Sequence, residues 1–190
     1  MSKSSSGHFS GTNGSKRDPA IQKLKTPEDV ILERTKGLDL MPHPRKTKSM
    51  SASKMHTIRG KIKNRTATKT EYKEIQSENR FRRRRSKAVN DFWKDEASRI
   101  KHNLPTTRQW TPEQKRDIIN NRRPKYKGKT IEGHHTYSAS LYPHLANKSH
   151  VIFPATYEEH KNDWHGGNYK KSLPGQRIKK SKKRSIERYG

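Results

Sequence analysis

Three short stretches decide how this chain folds: Glu132-Gly133-His134-His135-Thr136-Tyr137-Ser138, Val151-Ile152-Phe153-Pro154-Ala155-Thr156, and Glu159-His160-Lys161-Asn162-Asp163-Trp164-His165-Gly166-Gly167-Asn168. The first is led in by Tyr126-Lys127-Gly128-Lys129-Thr130-Ile131, a glycine turn between extended residues that gives a hairpin-like arrangement ending in a histidine pair. His150 to Phe153 is a second short strand candidate. Thr156-Tyr157-Glu158-Glu159 is a capping box. It starts a helix that carries His160 and runs to Trp164, where Gly166-Gly167 stops it. The order is therefore strand, His134-His135, loop, strand, capped helix, His160, His165. That order brings imidazoles at a strand end against imidazoles on a helix, a metal site in outline.

Adjacent residues on a strand point to opposite faces, so at most one of His134 and His135 directly faces a given ion. This suggests two roles: one histidine ligates a cation while its neighbour, with an ordinary pKa of about 6.5, accepts a proton from water. His160 and His165 are five apart, a poorer spacing than four for sharing one side of an ideal helix. A helix that ends at Trp164 lets His165 leave the helical path at the two glycines and swing its ring back toward His160.

Upstream, Thr111-Pro112-Glu113-Gln114 is another capping box with proline at the first helical position, opening a helix through Ile118 and Ile119. Between Thr70 and Ile100 there is neither Pro nor Gly. Val89, Phe92, Trp93, Ala97 and Ile100 recur there at helical spacing, which predicts a long helix whose second half has one apolar face. The run Arg82 to Arg85 places guanidinium groups nearly all round it, suited to tracking a phosphate backbone. Thr26-Pro27-Glu28 starts a short helix. The Ser- and Gly-rich residues 1 to about 20 read as a flexible lead-in, and Met41 to Ala67 reads as a linker or as a segment ordered only by a partner.

Composition narrows the function. The 190 residues carry 45 Lys plus Arg against 18 Asp plus Glu, a formal charge of +27, and only 26% are hydrophobic. Ordinary globular domains are roughly 45–50% apolar, so one small core with long extensions is expected. The natural counter-charge for such a chain is a polyanion, nucleic acid first. There is no cysteine, so a metal must be held by His, carboxylate or amide groups, and the ten histidines are the place to look. No run approaches the roughly 18 apolar residues of a membrane span, and Ser2 to Gly14 lacks the apolar region of a signal peptide.

From Trp110 to Gly175 these motifs, with Tyr142-Pro143-His144-Leu145-Ala146 between them, resemble the ββα-metal or HNH superfamily. Within it they are similar to the GHH-signature nuclease toxins at the C-termini of bacterial polymorphic toxins. The resemblance implies an α+β fold with a small HNH-like core at 106–175, preceded by a long basic helix at 68–105. Flanking these are a disordered or linking segment at 1–67 and a basic tail at 176–190. It implies His135 as general base, His134, His160 and His165 as ligands of one divalent ion, Mg²⁺ or Zn²⁺, and Glu132 as the acid that orients a histidine. One departure stands out: the asparagine that the superfamily carries on its second strand is replaced by Val151, preceded by His150. The expected function is metal-dependent endonucleolytic cutting, DNA favoured, by the toxin module of an antibacterial effector. Such a toxin is delivered into a target cell by a secretion system and neutralised in its producer by an acidic immunity protein. Two alternatives stay open: a non-catalytic nucleic-acid-binding protein with a structural histidine–metal site, and an RNase toxin. His144 reads as structural or exposed, and His8, His43, His56 and His102 as uninvolved.

Overall fold

The longest element is a 33-residue helix, α3 (Lys69–Lys101), which starts from a capping box made by Thr68 and Glu71. The computed structural model describes residues 25–45 and 49–179. The lead-in expected at 1–20 and most of the basic tail lie outside the described residues. Before α3 come α1 (Pro27–Arg34) and α2 (Ala52–Lys63), and after it α4 (Pro112–Ile119). Two antiparallel pairs follow, β1 (Lys125–Tyr126) with β2 (Lys129–Thr130), and β3 (Glu132–His135) with β4 (Ile152–Ala155). A π-wound helix, Glu159–Trp164, completes the order. The fold is α+β, a small HNH-like core behind a long basic helix.

The apolar face of α3 explains where the core lies. Ala88, Phe92, Trp93 and Ala97 are buried with Trp110, Ile118, Ile131, Val151, Ile152, Phe153 and Trp164, so the helix, α4 and the β3–β4 pair share one cluster. Glu96 sits inside that stripe with no exposed surface. It accepts hydrogen bonds from the Thr107 amide (2.8 Å), the Thr107 hydroxyl (2.7 Å) and the Trp110 indole N–H (2.7 Å), which offset the cost of burying a carboxylate.

Three expectations are corrected. Met41 to Ala67 is not merely a linker: it contains α2, whose Ser51 cap accepts the Lys54 amide and whose Met55 and Ile58 are buried where α2 packs along α3. Its apolar residues are too sparse among Lys and Ser to show the helix by pattern. The same segment is anchored by Arg45, which donates to the buried Glu78 of α3 at 3.1 Å. Burial opposes ionisation of Glu78, but hydrogen bonds from Arg45 and Arg82 outweigh it and hold the carboxyl below its ordinary range. The second strand begins at Ile152 rather than His150, because Ser149–Val151 is a 3-10 turn. Finally, the basic tail, whose Lys- and Arg-rich sequence reads as a mobile electrostatic arm, is held at its start: Arg177 donates to both carboxylate oxygens of Glu28 (2.9 and 3.0 Å), and the Ile178 amide donates to the Asp163 carbonyl.

Candidate active site

β3 separates its two histidines as strand geometry requires. His134, only 7% exposed, turns toward the π-wound helix, where its ring lies 4.9 Å from Trp164, 4.8 Å from His160 and 5.1 Å from His165. The rings of His160 and His165 are 5.0 Å apart. One ligand nitrogen from each of the three lies within 4.8 Å of the others. The i→i+5 repeat of a π-helix is what aligns residues five apart. Alignment of His165 thus comes from the winding itself, with Gly166 and Gly167 at φ +57° and +85° ending the helix just beyond it.

Hydrogen bonds fix the tautomers of both helical histidines. His160 donates from Nδ1 to Glu132 Oε2 at 2.9 Å, and His165 donates from Nδ1 to the Lys171 carbonyl at 2.6 Å, so each presents Nε2 as its lone-pair nitrogen. A histidine that ligates a metal characteristically gives its other N–H to a carboxylate or carbonyl in this way, and the donor set fits a divalent ion on chemical grounds. Burial, then the neighbouring imidazoles and Arg85, hold His134 well below its ordinary pKa. Burial also lowers His160, against the opposing pull of Glu132. Neutral imidazoles are the ligating form.

His135 faces away from this trio. Its Nε2–H donates to the Ala146 carbonyl at 3.3 Å, leaving Nδ1 as the basic nitrogen. Burial and then Arg85 push its pKa down to about 4, with the Ala146 contact opposing them. The side chain in place of the missing asparagine, Val151, is fully buried, and its carbonyl accepts from both the amide and hydroxyl of Thr136. His150 is exposed; the backbone of the 143–147 loop meets His135 instead. Glu132 meets His160, not His135.

Gly133, between the acid and the pair, is a packing residue. A Cβ there would lie 2.9 Å from Val89 Cγ1 and 3.0 Å from Ile152 Cγ2, so the absence of a side chain sets how closely α3 approaches β3. Gly133→Ala is expected to lower stability by about 1–3 kcal/mol. Val89→Ala in the same chain should recover part of that loss in chemical denaturation, and no recovery would show that Val89 is not the obstacle.

Residues 76–156 match the family described as GHH signature containing HNH/Endo VII superfamily nuclease toxin. The GHH match runs from within α3 to the residue after β4 and includes Arg85, Gly133, His134 and His135, ending before His160 and His165. GHH proteins are nuclease toxins, and nucleases of the HNH/Endo VII type depend on a metal, for which the described residues offer a histidine group. No curated protein and no solved structure matches the chain. Among the described residues no helix is long and apolar enough to cross a membrane.

Two residues of this site escaped sequence reasoning. Arg85 belongs to a run read only as basic all round, but it alone of that run acts electrostatically on both His134 and His135. Its signal is its position four before Val89, the residue over Gly133. Tyr169, half exposed, lies 5.6 Å from His160 and 5.2 Å from His165, and nothing in its sequence context marks it.

Proposed function

We propose that this protein is a metal-dependent endonuclease acting on DNA. Carrying this reading is the division of β3 into two faces: a three-imidazole cluster on one side, and on the other a neutral His135 held by Ala146 and facing Arg85. His134, His160 and His165 are the residues to hold a single Mg²⁺ or Zn²⁺, with Glu132 orienting His160. A cation held there would supply charge neutralisation at the scissile phosphate and the leaving 3′-oxygen. His135 takes the proton of the attacking water on Nδ1. A base with a pKa near 4 is neutral at pH 7 but weak; a phosphate anion beside Arg85 offsets the guanidinium charge and strengthens it when substrate is present. Arg82, Arg83 and Lys87 on the outer side of α3 grip the backbone without reading bases.

In the wider setting, the chain acts as the toxin module of an antibacterial effector, delivered into a rival cell. An acidic immunity protein covers the basic surface in the producer, a partner suited to the +27 charge. The test is nicking of supercoiled plasmid by the purified chain. Cleavage is expected with Mg²⁺ or Zn²⁺ and none with chelator. Residual plasmid cutting in chelator overturns the metal requirement, and chelator-resistant cutting of RNA with plasmid left intact points to RNase chemistry through a 2′-hydroxyl. Intact DNA and RNA with every ion, together with unfolding on chelation, overturns catalysis in favour of a structural metal site.

A further inference from the structure

A second group of ligand atoms lies apart from the first and shares no residue with it. One nitrogen each from His43 and His144 and a carboxylate oxygen of Asp39 fall within 4.8 Å of one another. The group joins parts of the chain a hundred residues apart, the stretch after α1 and the loop between β3 and β4. Backbone bonds register the two segments: the His43 amide donates to Leu141 O at 2.8 Å, and the Arg45 amide to Ser140 O at 3.0 Å.

Hydrogen bonding orients all three side chains. His144 donates from Nε2 to the Asp39 carbonyl at 2.9 Å, which fixes the proton there and makes Nδ1 its lone-pair nitrogen. That Nδ1 is buried and has no hydrogen-bond partner. A buried imidazole nitrogen without a partner is a site whose natural complement is missing, and the carbonyl bond on the opposite nitrogen is the arrangement that orients a metal-ligating histidine. Asp39 is similarly prepared: Oδ1 accepts the Met41 amide at 2.9 Å, leaving Oδ2 for His43 Nε2 at 2.7 Å. The His43 and His144 rings meet edge to face, 4.7 Å between centroids.

We propose that Asp39, His43 and His144 form a second metal site, taking a borderline transition-metal cation such as Zn²⁺ or Ni²⁺ through one carboxylate oxygen and one nitrogen of each imidazole. Two imidazoles and one carboxylate suit such ions better than Mg²⁺. A cation bound at His43 Nε2 would displace the proton lying between it and Asp39 Oδ2, that proton moving to His43 Nδ1 or to solvent. The site staples residues 39–45 to the loop whose Ala146 carbonyl holds His135. It does not depend on the nuclease reading.

The experiment is equilibrium dialysis of the full chain against Zn²⁺, paired with hydrogen exchange at the His43 and Arg45 amides. Wild type should hold two equivalents, His43→Ala one, His160→Ala/His165→Ala one, and the triple variant none. His43 is mostly exposed, and Asp39→Asn keeps the side-chain shape, so both variants should remain folded and lose the same equivalent. In the His160→Ala/His165→Ala background Zn²⁺ should slow exchange at both amides, and the addition of His43→Ala should abolish the slowing. Two equivalents retained in His43→Ala and Asp39→Asn overturn the proposal. One wild-type equivalent that disappears with His160→Ala/His165→Ala also overturns it, with the nuclease centre intact. One equivalent that disappears instead with His43→Ala supports the second site and counts against the first.

Discussion

Replacing His135 by alanine should leave a folded, metal-loaded protein that cuts nucleic acid about 10²–10⁴-fold more slowly. The expectation follows from which face of β3 the ring occupies. His135 makes its described hydrogen bond to a backbone carbonyl on the loop side, whereas the three clustered imidazoles lie on the other side of the strand. On the proposed mechanism its loss removes the proton acceptor and spares the metal ligands. His134→Ala should behave differently: that ring is packed against Trp164, His160 and His165, so the variant should lose metal and activity together. Single-turnover cleavage beside metal content and circular dichroism separates the two cases. A His135→Ala enzyme within tenfold of wild type would remove this residue from the base role.

Glu96→Ala is expected to be the most destabilising single change outside the site, costing about 3–5 kcal/mol. The carboxylate is fully buried, and three donors converge on it from Thr107 and Trp110. Removal strands the Thr107 amide and the Trp110 indole N–H in the core, each an unsatisfied donor of about 1–3 kcal/mol. The loss spreads further, because the Thr107 hydroxyl also accepts from Arg34, and Arg34 reaches the Ser149 carbonyl ahead of β4. One side chain of α3 thus holds α1, the 106–110 segment and the approach to the second strand. Urea denaturation measures the effect, and a loss under about 1 kcal/mol would mean that the three donors find other partners. Glu96→Gln should fall between, since its amide oxygen can keep the Thr107 amide and the Trp110 indole N–H while its nitrogen keeps the third bond only if the Thr107 hydroxyl turns from donor to acceptor.

Much of the site was legible because local chemistry wrote it. Capping boxes at Thr111 and Thr156 are formed as their residue types imply, and the alternation of strand side chains separates His134 from His135 without any tertiary knowledge. The fine alignment of His160 with His165 was not legible: helical spacing rules assume α winding, whereas residues 159–164 wind as a π-helix in the folded chain. Nor could spacing find the partner of His135, since the Ala146 carbonyl belongs to a loop and every residue has one. Helix α2 was hidden for a different reason. Met55 and Ile58 show too little amphipathic pattern in a Lys- and Ser-rich stretch, and α3 supplies the surface that makes them a helix face. Glu96 was invisible because an acid inside an apolar stripe looks like an interruption until its donors are known.

The π winding between Glu159 and Trp164 also bears on how such a site can vary over time. A helix in which residues five apart align holds one residue more than the α-turn that aligns residues four apart. Loss of one residue between His160 and His165, with a return to α winding, would keep both imidazoles on the same side. Gain of one residue in an α-helical pair is the reverse of the same change. The distance in sequence between these two histidines is therefore free to drift by one without dismantling the cluster. Searches that demand a fixed interval would overlook proteins with the same arrangement of imidazoles in space.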